Sequence, residues 1–100
     1  MPNRVIEVVT FKLADGIQDS DFLAASKAIT TFAQKQDGFI GRRLSVAEDG
    51  TWMDHVEWET MEAAQAAMEA FPKDENLAPV VAMIDAEAMT MSHHALMDAS

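Results

Sequence analysis

At 100 residues the chain is sized for a single domain, residues 1–100, and its composition, 49% apolar and 24% charged, is that of a folded protein. A formal charge of -10, from 17 acidic against 7 basic side chains, argues against partners held by phosphate neutralisation, whether nucleic acid or an anionic membrane surface. The absence of cysteine excludes disulfides, thiolate metal ligands and a cysteine nucleophile.

Met1-Pro2-Asn3-Arg4 leads into a strand-like run with no signal-peptide pattern, and the apolar runs are too short to span a bilayer, so a soluble, cytoplasmic protein is expected. Val5 to Leu13, rich in Val, Ile and Phe, reads as a first strand closed by the turn Ala14-Asp15-Gly16. Asp19 or Ser20 can cap a helix whose stripe is Phe22, Ala25, Ser26, Ile29, Phe32 and Ala33 and which stops near Gln36-Asp37-Gly38. Phe39 to Ala47 and Thr51 to Glu59 form a hairpin around Glu48-Asp49-Gly50. Thr60 caps the next helix, which buries Ala64, Ala67, Met68 and Phe71 and ends at Pro72. Asn76 opens a short helix over about Leu77 to Ile84, with Pro79 in its first turn, and Ala88 to Met97 is the last strand.

This order, βαββαβ with a short extra helix, predicts a ferredoxin-like α+β fold: two helices on one face of a four-stranded antiparallel sheet of order 4-1-3-2. The first strand puts Val5, Val9, Phe11 and Leu13 on one face and Ile6 and Val8 on the other, so both faces read as apolar. Helices cover one face only, and a second copy of the sheet is the simplest cover for the other, which predicts a homodimer.

Polar residues inside the strands are the candidate site. His93 shares a face with Met89, Met91 and Ala95, where a neutral imidazole either accepts a proton or simply packs, hydrogen-bonded, in the interior; His94 points the other way, so the pair is a poor metal signal. Glu7 lies among Val5, Val9 and Phe11, where a carboxylate needs a partner. The strand order sets the first strand beside the fourth, so His93 is one candidate partner, with the register left open, and Arg42 or Arg43 at the dimer contact is the other. Asp54 lies between Trp52 and Trp58 on one face of the third strand, suited to holding a polar group of a ligand within an aromatic wall, or simply solvated. Arg42 can bind a carboxylate or enolate, or form an ion pair at the dimer contact. A metal site built from His55, Glu57 and His94 is not expected.

Four segments carry a family likeness: Val5 to Leu13 with Asp15-Gly16, Asp37 to Leu44, Thr51 to Glu59, and Glu62 to Ala67. Together, from Val5 to about Leu96, they resemble the antibiotic biosynthesis monooxygenase-like domains of the dimeric α/β barrel superfamily. The resemblance implies two facing sheets in a homodimer and a small-molecule pocket in each subunit. It also implies cofactor-independent oxidation of a flat, electron-rich aromatic compound or quinol: the substrate loses a proton and its anion reduces O2. No cofactor is expected, and haem is argued against because haem-degrading relatives ligate through a helical histidine, whereas every histidine here falls on an expected strand. Familiar members place an Asn, an Arg and a Trp near the substrate; Asn3 has no position on that motif. The same barrel also carries isomerases, dehydratases and non-catalytic ligand-binding or regulatory modules.

Overall fold

Alternation along the first strand decides which side of the sheet the helices cover. The computed structural model describes residues 3–100. It contains β1 (Val5–Leu13), α1 (Asp19–Ala25), α2 (Lys27–Gln34), β2 (Phe39–Val46), β3 (Trp52–Trp58), α3 (Met61–Ala70), α4 (Ala78–Val81) and β4 (Ile84–Ala95). The strands form one antiparallel sheet in the order β2-β3-β1-β4, which is the expected 4-1-3-2 read from the other edge. Among the described residues no helix is long and apolar enough to cross a membrane.

Val5 and Phe11 of β1 and Trp52, Val56 and Trp58 of β3 are buried beneath the helices, together with Phe22, Phe32, Ala64, Ala67, Leu77 and Val80. One end of this core is aromatic. Phe11 and Trp52 stack with centroids 6.5 Å apart, and Phe22 meets each edge-on, at 5.4 Å and 4.9 Å. Such pairs add to simple area burial because ring edges and faces carry opposite partial charge.

The local signals are satisfied as read at two helix ends. Thr60 caps α3 by accepting from the Ala63 amide at 3.0 Å. Gly38 adopts φ +84° after α2, and its carbonyl accepts from the Glu59 amide at 2.8 Å, tying the helix exit to the end of β3. In the β2–β3 turn, Asp49 accepts from the Thr51 amide at 2.9 Å, and that bond holds its carboxyl below the ordinary aspartate value.

Elsewhere the elements differ from the sequence reading. The first helix is two segments, because the buried Ser26 turns its hydroxyl back onto the Leu23 carbonyl at 2.8 Å and interrupts the helical run. Its start is at Gln18, with no side-chain cap, and Asp19 and Asp21 lie in the first turn instead. The third helix shortens to α4 behind two single 3-10 turns, Phe71–Lys73 and Glu75–Leu77, the second capped by Asp74 rather than Asn76. β4 begins at Ile84, four positions before Ala88, because Ile84 and Asp85 pair with Leu13 and Lys12 beyond a register shift. The second face of the sheet is less apolar than its β1 residues suggested. Ile6 is buried there and Val8 half-buried. Around them lie a Thr10–Thr90 hydroxyl pair, Ser92 bonded to His94 at 2.7 Å, and an Arg4–Glu57 ion pair.

Candidate functional site

A cavity of about 270 Å3 opens between the helix-covered face of the sheet and the helices. β1 contributes Glu7, Val9 and Phe11 to its wall, and β3 contributes Asp54, Val56 and Trp58. α2 and α3 roof it with Ile29, Phe32 and Ala67. Its mouth is rimmed by Met68, Val81, Met89 and Met91, each more than a third exposed. The volume lies just under the roughly 300 Å3 at which small-molecule sites commonly begin, and the lining is almost wholly apolar, as such sites are.

Glu7 is the central polar group of the wall, 8% exposed. The sheet register places it opposite Val56 on one side and opposite His93 on the other. Its carboxylate accepts a hydrogen bond from Trp58 Nε1 at 3.3 Å and lies 3.3 Å from His93 Nε2. The second approach is off the hydrogen-bond axis, so the buried His93 Nε2 makes no hydrogen bond. The expected Glu7–His93 juxtaposition is therefore present, and the order of the two is reversed: Glu7 faces the cavity and His93 stands behind it.

Asp54, 7% exposed, is the second carboxylate of the wall. Arg42 grips it through Nε at 2.9 Å and a terminal nitrogen at 2.7 Å, and its other terminal nitrogen donates to Thr30 Oγ1 at 2.8 Å. A guanidinium presents its donors as a flat fork, which is why it can close on both oxygens of one carboxylate. Arg42 is thus committed inside the chain, and it is not the partner of Glu7.

Of the two tryptophans read as a ligand wall, Trp58 lines the cavity and Trp52 does not; Trp52 is 5% exposed within the Phe11–Phe22 cluster. His93 and His94 point to opposite faces of β4, His94 to its bond with Ser92. Among the described residues no three His, Cys, Asp or Glu side chains converge to hold a metal ion. Thr30 had no place in the sequence reading, and Met68, expected to be buried by its helix, is instead 40% exposed at the cavity mouth beside Met89 and Met91. Thr30 carries one readable signal, a hydroxyl beside Ile29 on the apolar stripe of α2.

No protein-family model matches the sequence, and no curated protein matches it. Solved structures do. A variant of SnoaB, a cofactor-independent oxygenase from Streptomyces nogalater, superposes with a TM-score of 0.78 at 14% identity, over 97% of this chain and 96% of that one. The monooxygenase ActVA-Orf6 of Streptomyces coelicolor, solved with nanaomycin D, gives 0.75 at 15% identity, over 98% and 91%. A dimeric ferredoxin-like protein of unknown function from Thermobifida fusca gives 0.73 at 10% identity, over 96% and 93%. At these identities the likeness establishes the fold: the chain is a ferredoxin-like α+β protein of the architecture found in antibiotic biosynthesis monooxygenase-type structures. Activity does not follow from architecture.

Proposed function

We propose that this chain binds a flat, electron-rich aromatic compound in the cavity beneath its helices and oxidises it with O2, as a monooxygenase of the antibiotic biosynthesis type needing no metal or flavin. The observation that carries the reading is Glu7: a buried carboxylate on an otherwise apolar wall, held by Trp58 and backed by His93. A carboxylate fixed against an apolar cavity wall is placed to accept a proton from a ligand lying beside it.

For a substrate with an acidic methylene between aromatic rings, Glu7 takes one proton from carbon. The carbanion gives an electron to O2, and the resulting radical pair forms a C–O bond. The peroxide regains a proton, its O–O bond breaks, and the second C–H hydrogen leaves with one oxygen as water. The carbon ends as a carbonyl, so one O2 is consumed and one water released. Trp58 holds Glu7 in position, and His93 passes the proton onward.

Oxygen uptake with an anthrone tests this. Glu7→Gln should lower the rate by roughly a hundredfold or more, the usual scale for removing a general base, and His93→Ala by less. Unchanged turnover in both variants would remove the mechanism. Binding without oxygen uptake would mark a non-catalytic module, and turnover in the absence of oxygen an isomerase or dehydratase.

The assembly we propose is a homodimer joined through the sheet face that carries Ile6 and Val8. Its support is the apolar centre of that face and the dimeric state of the Thermobifida fusca structure.

A further inference from the structure

Among the residues that line the cavity, or that bond directly to its carboxylates, the guanidinium and indole donors are already spent. The lining contains two carboxylates, Glu7 and Asp54, and no Lys or Arg. They are diagonal neighbours across β1 and β3, since Glu7 pairs with Val56 and Asp54 with Val9. Such positions lie roughly 7–8 Å apart. The nearest guanidinium, Arg42, turns its fork to Asp54 and its remaining terminal nitrogen to Thr30. The indole N–H of Trp58 is given to Glu7. An entering anion would meet Glu7 across a wall too apolar to screen it, and would find no unspent cationic fork among the lining residues.

From this we propose that the cavity selects its ligand by charge. It takes a flat aromatic molecule whose polar edge is a hydrogen-bond donor, an O–H or an N–H, neutral or positive, and it excludes carboxylated aromatics of the same ring size. The donor edge meets Glu7, whose oxygens receive only one protein hydrogen bond between them. Asp54, neutralised by Arg42, contributes shape and little net field. Selection against carboxylates comes from Glu7, which no guanidinium or ammonium group pairs and whose nearest basic neighbour is the off-axis His93 imidazole, and from stripping water off the incoming anion with nothing to replace it. The inference rests on the cavity being the ligand site and is independent of any reaction there.

Calorimetric titration with three ligands sharing one ring system reads it directly: naphthol, naphthylmethylamine and naphthoate. The phenol and the amine should each bind roughly tenfold or more tightly than the carboxylate, the scale at which like charges oppose association. Glu7→Gln, which keeps the size and the acceptor for Trp58, should narrow that gap severalfold by admitting naphthoate. Naphthoate binding to the wild-type protein as tightly as naphthol would overturn the proposal, and so would a gap that Glu7→Gln leaves unaltered. Failure of all three ligands to bind would overturn it together with the cavity reading. Selective binding with no oxygen uptake from any bound donor would leave the selectivity standing and remove only the oxidation. Oxygen uptake from a carboxylated aromatic would do the reverse.

Discussion

Two carboxylates on the same face of the sheet meet different fates. Asp54 is matched by a guanidinium; Glu7 has an indole and an imidazole that stands off-axis. The Asp54–Arg42 pair is buried, with side chains 10% and 7% exposed. Removing one member leaves the other charged and desolvated, so Arg42→Met should cost about 3–5 kcal/mol in urea unfolding, and Arg42→Met with Asp54→Leu should recover most of that loss. A double variant no more stable than the single one would show that the pair does more than cancel its own charges. Strand alternation and strand order made a Glu7–His93 pair one of two readings; the β1–β4 register, which the sequence does not encode, decides for it. The choice between Arg42 and Arg43 depends in the same way on the β2–β3 register, where a shift between Phe39 and Gly41 follows from the backbone rather than from any residue pattern. Trp52 misled for a related reason: it shares a face with Trp58, but a face is longer than a cavity.

At the level of elements, the hinge between α2 and β2 is the most exacting point. Gly38 combines a positive φ with close packing, since a Cβ there would meet the Ala63 Cβ at 2.6 Å. Gly50 has a similar φ, +88°, and open space around it. Gly50→Ala should therefore cost only the left-handed backbone penalty of roughly 1–2 kcal/mol, whereas Gly38→Ala should cost more and push α3 away from β3. Equal midpoints for the two variants in thermal unfolding would contradict this. Strong local signals such as Thr60 and Gly38 set their ends correctly. The Ser26 break and the early start of β4 escaped notice because they depend on contacts. One is a hydroxyl finding a carbonyl; the other is a strand continuing because Leu13 and Lys12 offer a partner, although Asp85-Ala86-Glu87 lacks an apolar alternation.

For the molecule as a whole, the sheet separates two surfaces of different character. Beneath the helices it is apolar and interrupted only by Glu7, Asp54 and their partners; on the other side an apolar centre, Ile6 and Val8, is ringed by paired polar groups. The elements followed from hydrophobic periodicity, and the strand order from their βαββαβ succession. The outer face is more polar than β1 alone implies, because β4 brings Thr90, Ser92 and His94 beside Ile6 and Val8. A face of this kind suits a self-complementary contact with a polar rim. Light scattering should give twice the 11.0 kDa chain mass, and Ile6→Lys should return it to the mass of one chain. A single-chain mass for the unaltered protein in dilute solution would end the dimer proposal.

The two tryptophans occupy separate worlds: one locked among Phe11 and Phe22, one at the cavity wall against a carboxylate. The molecule therefore carries two intrinsic fluorophores that answer different questions. With Trp58→Phe, emission follows Trp52 and reports the integrity of the aromatic core. With Trp52→Phe, it follows Trp58 and reports what enters beside Glu7. Occupancy and unfolding become separately visible in one protein, without an added dye and before any substrate is known.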